Sequence, residues 1–217
     1  MNGQTEAATG SAHVTPLSLS PLLFHGEYDV CVRAPFAPAP GPAHVTSAPE
    51  PPPLAPADKG RIALLYHFAR LQMPAVKLAE PAFLAHMRRT FGVFLPKAPA
   101  TSWAGYLEGL YAVDWLVCVG CLDGQSAAWE VLFNARTGRS DCLLVDALRA
   151  RAVRLYPRNE ERQDTAVTEF WSNLIAPESD GALPVLARYD GQRPLAPWLI
   201  RVFQNWHLSK LRQHTGA

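Results

Sequence analysis

Residues 183–212 read LPVLARYDGQRPLAPWLIRVFQNWHLSKLR, and the spacing inside this stretch decides the fold class. Leu195, Trp198, Leu199, Val202, Phe203 and Trp206 recur at i, i+3, i+4, i+7, i+8 and i+11, the pattern of a helix burying one stripe. Pro194 and Pro197 fit only before such a helix or in its first turn, where a missing N–H breaks no hydrogen bond. Arg201, Gln204, Asn205, Leu208 and Arg212 then share the opposite face, because residues three and four apart point one way. No Asp or Glu follows Asp190, whereas Arg193, Arg201, Lys210 and Arg212 do. A helix with an apolar back and a cationic, amide-bearing front can lie on a nucleic-acid backbone and reach base edges. The same pattern also describes an ordinary amphipathic helix with a solvated basic face.

Upstream, periodicity of the same kind recurs. Ile62, Leu65, Tyr66, Ala69 and Leu71 suggest a helix from Arg61 that stops before Pro74, since proline disfavours helix at the residue before it. Pro81 opens another, with Phe83, Leu84, Met87 and Phe91 on one side, ended by Gly92 and Pro96. Ser102 is placed to cap a third helical region running through Tyr106 and Leu116 to Asp123-Gly124. Ser126 can cap the next, with Trp129, Leu132 and Phe133 as its stripe, and Ser140 opens one that buries Leu143, Leu144, Ala147, Leu148, Val153 and Leu155. A further helix covers about Glu160 to Ile175. The expectation is an all-α protein: a compact helical bundle over 102–217, preceded by a small helical segment over 61–98.

Residues 1–60 differ in kind. They hold 11 of the 20 prolines, including Pro51-Pro52-Pro53, and such a chain propagates neither helix nor sheet ladder. The composition predicts an extended, disordered tail in which Leu17–Phe24 (LSLSPLLF) is the one apolar island. The 217 residues carry a formal net charge of +1, which selects no partner class. Five acids face Arg33 and Lys59 in the first sixty residues, while the last helix holds only bases. No apolar run is long enough to span a bilayer, and the N-terminus lacks the parts of a signal peptide. The expectation is a cytoplasmic protein away from membranes.

Chemistry is hard to find. Cys118-Val-Gly-Cys121 has the spacing of a zinc or redox pair. No second pair or His pair follows, and the word lies in an apolar helical stretch where cysteine acts as a small hydrophobe. Nucleophile-elbow, zincin and phosphate-loop words are missing from the sequence. No metal, no cofactor and no enzymatic activity are expected. His207 and His214 stand beside the basic helix as candidate phosphate contacts.

The wording of the last stretch adds a resemblance. Tyr189-Asp190-Gly191, then Leu195, Trp198-Leu199, Arg201, Asn205 and Leu211-Arg212 resemble the promoter-reading segment of bacterial sigma factors of the extracytoplasmic-function type. That family has a turn, then a helix reading W-L-x-R-x-x-x-N, then x-x-x-D-x-L-R. The family's Asp is Ser209 here. Residues 111–133 (YAVDWLVCVGCLDGQSAAWEVLF) are similar to its first helix pair, with Asp123-Gly124 and Ala127-Ala128-Trp129 at the junction. The helix ERQDTAVTEFWSNLI matches its polymerase-gripping word at Asp164 and Phe170 but carries Val167 and Thr168 where the family has Gln-Glu, with the acid at Glu169.

The resemblance implies a sigma-like initiation factor. It would bind RNA polymerase core through Asp164, Thr168, Glu169 and Trp171. It would meet the melted non-template strand of the minus-ten promoter element through Tyr189, Arg193, Arg201, Gln204, Asn205, Lys210 and Arg212. Tyr189 would stack on an unpaired base, and the loop 176–184 would pocket one. An anti-sigma protein is a further implied partner. Family members continue into a helix-turn-helix domain reading the minus-thirty-five element, whereas this sequence stops at Ala217. It therefore reads either as a fragment or as a shortened relative, and the alternative function is an adaptor or decoy that occupies polymerase without initiating.

Overall fold

A computed structural model describes residues 50–137, 141–177 and 181–215, with side chains as far as Arg212. It is built from eight α-helices among the described residues: α1 Pro56–Gln72, α2 Glu80–Phe94, α3 Trp103–Glu108, α4 Ala112–Leu122, α5 Ser126–Phe133, α6 Leu144–Leu155, α7 Glu160–Asn173 and α8 Leu195–Thr215. Two short 3-10 turns, Leu95–Lys97 and Leu186–Arg188, complete the regular structure. The all-α bundle expected from periodicity is the observed fold. Residues 1–49, with the apolar island Leu17–Phe24, and Ser140 lie outside the described residues.

Helix α1 begins at Pro56, five residues before the expected start. Counting prolines assigned 56–60 to the tail, yet Pro56 occupies the first helical turn, where it fits without loss, and Asp58 favours the helix dipole there. Packing reaches further back still: the Trp103 indole N–H donates to the Pro52 carbonyl at 2.7 Å. Ile62, Tyr66 and Ala69 face inward, whereas Leu71 stands exposed on the far side.

The segment 61–98 shares its buried cluster with the helices that follow it. Phe83 of α2 packs edge-on against Trp115 of α4, centroids 4.8 Å apart, and the Trp115 indole donates to Thr90 at 3.0 Å. Phe91 stacks on Tyr106 of α3. One buried cluster runs from Ile62 to Phe203.

The helical region expected from Ser102 to Gly124 comprises two helices. Ser102 does cap α3, accepting the Gly105 N–H at 3.2 Å, but the helix ends at Glu108 and α4 starts at Ala112. Helices α4 and α5 form a close hairpin at Gly120, where an added Cβ would come within 2.7 Å of the Ala128 Cβ and 2.9 Å of Val76. Only a residue without a Cβ admits that approach. In α6 the buried residues are Leu144, Leu148 and Ala152; Val153, placed in the stripe by the sequence, is 52% exposed. Asn159 caps α7 by accepting the Arg162 N–H at 2.9 Å. No helix among the described residues is long and apolar enough to cross a membrane.

Candidate nucleic-acid interface

Helix α8 is held by its inner edge. Leu195, Leu199 and Phe203 are buried, and His207 continues that line at 0% exposure. Trp198, Val202 and Trp206 are partly buried beside it. The stripe thus centres on Leu195, Leu199, Phe203 and His207, shifted toward one side of the sequence expectation, and Trp198 flanks the core rather than filling it. It lies against Tyr189, centroids 5.0 Å apart.

The turn before α8 is a hub. Asp114 of α4 accepts the Leu195 N–H at 2.7 Å, which satisfies one of the orphan donors at a helix start. Gly191 has φ +74°, its carbonyl accepts the Tyr111 N–H, and a Cβ there would fall 2.4 Å from Leu110. The Asp190 carboxylate takes the Lys97 ammonium and the Gln192 N–H, and its carbonyl accepts the Tyr106 hydroxyl at 3.1 Å. From α2, Arg89 donates to the Ala187 carbonyl at 2.9 Å; burial lowers the pKa of that guanidinium, with partial relief from Cys118 and Tyr106.

This hub corrects one assignment. Tyr189 is 1% exposed, its hydroxyl donates to the Arg193 carbonyl, and burial, then Asp114, drives its pKa up. It is a packing residue with no face left for a base. His207 is corrected likewise: it is buried, with Nδ1 2.9 Å from the Tyr156 hydroxyl, so it offers nothing to phosphate. Its Nε2 is the one buried side-chain polar atom without a hydrogen bond among the described residues. The His214 side chain and part of the loop 176–184 lie outside the described residues. Cys118 and Cys121 are buried in α4; the Cys118 thiol donates to the Leu186 carbonyl, and burial raises both thiols, Cys121 to about 12.

The other side of α8 is open. Arg193, Arg201, Asn205 and Arg212 are exposed and Gln204 is half-buried. Lys210 is drawn inward instead: its ammonium sits 3.3 Å from Glu169 of α7 and 3.7 Å above the Trp206 ring, so it neutralises a carboxylate rather than a phosphate. Burial alone would raise the Glu169 carboxyl, but Lys210 and then Arg162, at 3.2 Å, pull it below its ordinary value.

That arrangement divides the four polymerase residues. Asp164, Thr168 and Trp171 are spaced i, i+4, i+7 and share one face of α7. Asp164 and Thr168 are exposed there. Trp171 lies 5.0 Å from Phe133, itself 49% exposed. Glu169 points the other way, into the pair with Arg162 and Lys210.

One feature of the site escaped the sequence. Between α6 and α8 runs a groove of about 680 Å³, lined in part by Arg151, Arg154, Arg201 and Gln204. The signal was there in the i, i+3 spacing of Arg151 and Arg154, but spacing within one helix does not say which helix it will face. Comparisons with protein-family models, with curated proteins and with solved structures find no match to this chain.

Proposed function

We propose that the chain is a sigma-like transcription factor, using the outer face of α8 for the melted non-template strand of a promoter and the Asp164 face of α7 for RNA polymerase core. One observation carries the reading. Within the W-L-x-R-x-x-x-N word the apolar and polar letters part company: Leu199 is buried and Trp198 packs on Tyr189, while Arg201 and Asn205 are exposed one turn apart. Arg201 suits a phosphate; the Asn205 amide can pair with a base edge in two directions. On α7, an exposed carboxylate beside partly exposed Trp171 and Phe133 has the mixed aromatic and polar make-up of a protein interface.

The adaptor reading draws on a different observation. Tyr189 is buried and the Lys210 ammonium is paired with Glu169, which leaves a smaller DNA surface than the resemblance implies. The two readings part in one experiment. Fluorescence anisotropy with bacterial RNA polymerase core present compares non-template-strand oligonucleotides of promoter and scrambled sequence. A sigma-like factor prefers some promoter strand, and Asn205→Ala removes about 1–3 kcal/mol of that preference. Core binding without any sequence preference sinks promoter reading and leaves the adaptor. Failure to bind core sinks both.

A further inference from the structure

We infer that the groove between α6 and α8 is a track for the sugar-phosphate backbone of a single nucleic-acid strand, with Arg151, Arg154 and Arg201 as its phosphate contacts. The inference rests on the nucleic-acid reading of α8, though not on promoter preference or polymerase binding.

Arg151 and Arg154 are three apart on α6 and therefore on one face. That face meets Arg201 and Gln204 of α8 across the groove. No Asp or Glu lines it, and none of the three arginines makes an ion pair within 4.0 Å among the described residues. By contrast Arg149, on the same helix, has Asp146 at 3.9 Å, and Arg162 has Glu169. Three guanidiniums lining one groove repel one another, and a bound polyanion would relieve that repulsion. Guanidinium forks match phosphate oxygens in pairs.

Size and placement favour a strand over an isolated ion. The volume, about 680 Å³, is that of a site for a whole organic ligand. Arg201 belongs to the groove and, one turn from Asn205, to the outer face of α8. A backbone lying between the two helices therefore sets its bases toward Asn205. Thr137 and Cys142, 3.1 Å apart through hydroxyl and thiol, form part of the groove's other end.

The test uses the full chain and a labelled single-stranded DNA 20-mer in anisotropy titrations over a salt series. Arg151→Ala/Arg154→Ala should weaken binding roughly tenfold at low salt and lower the salt slope by about 1.4 units, two contacts at about 0.7 each. Arg151→Lys/Arg154→Lys should restore most of that slope, which separates charge from folding, and circular dichroism should show all variants equally helical. A double Ala variant with unchanged affinity and slope overturns the track, as does a wild-type chain that binds no strand at low salt. Pyrophosphate competing as well as the DNA at equal phosphate concentration also overturns it, and makes the groove a small-anion site. If, with polymerase core added, the Ala pair loses affinity equally on promoter and scrambled strands while neither is preferred, the track stands and promoter reading fails. If the pair binds normally while Asn205→Ala still removes the preference, the reverse holds.

Discussion

The Asp114 carboxylate lies 2.7 Å from the backbone nitrogen of Leu195, so a residue in the first turn of α4 caps a helix that begins 81 positions later. No Ser, Thr, Asp or Asn stands directly before α8 to do this locally; the preceding residues are Arg193 and Pro194. Loss of a cap typically costs about 0.5–2 kcal/mol, and this one also places a negative charge at the positive end of the helix dipole. Asp114→Ala should therefore lower stability by about 1–2 kcal/mol in urea titration, and Asp114→Asn, which keeps an acceptor, should recover much of it. Equal stability of wild type and Asp114→Ala would mean the cap is replaced by solvent at no cost.

Phe203 and Trp198 make a second contrast. Phe203 is 0% exposed and packs on Phe170 of α7, centroids 5.2 Å apart, whereas Trp198 only flanks the core. Phe203→Ala should cost about 3–5 kcal/mol, the usual result of emptying a large aromatic site, and Trp198→Ala measurably less. The reverse order in denaturant midpoints would show α8 rolled about its axis.

Acid should destabilise the fold through His207. Burial lowers its pKa to about 4, opposed by the Ala166 backbone; Lys210 and Arg162 lower it further and Glu169 opposes them. Tyr156, directly after α6, is its hydrogen-bond partner. Because the folded pKa lies below the ordinary value near 6.5, the unfolded chain takes up the proton first. Stability is then full above about pH 6.5 and falls toward pH 4, with a limiting slope of about 1.4 kcal/mol per pH unit for one proton. His207→Leu should flatten thermal stability across that window. A wild-type melting temperature that does not change between pH 6.5 and 4.5 contradicts the assignment.

Gly191 carries the turn that feeds α8. At φ +74° an L side chain is strained, and its Cβ would collide with Leu110. Gly191→Ala should destabilise by more than about 1 kcal/mol, measured by urea unfolding, while Gly60→Ala, with open space around it, should be neutral or stabilising.

Helix existence was legible in the sequence because the 3.6-residue period is local. The all-α class, the end of α1 before Pro74 and the Ser102 cap all follow from neighbours within a turn or two. What was not legible depends on residues far apart in the chain. Tyr189 reads as an exposed aromatic beside a turn until Arg193, Asp190 and α4 close around it. Lys210 reads as a free cation until Glu169, 41 positions earlier, is placed opposite. Leu71 and Val153 read as core because periodicity gives a face but not which neighbour covers it. The Arg151–Arg154 wall appears only when α6 is laid against α8.

Lys97 on Asp190 and Arg89 on the Ala187 carbonyl have a practical meaning for anyone trimming this chain. Both bases come from the first half of the described fold, and both hold the approach to α8 from behind. Trp103, one helix on, reaches back to Pro52. A piece cut down to α6–α8 would keep every residue named for nucleic acid and lose the scaffold that aims them. An expression boundary at Arg61, where helical periodicity first declares itself, cuts away the first turn of α1 and the Pro52 anchor of Trp103.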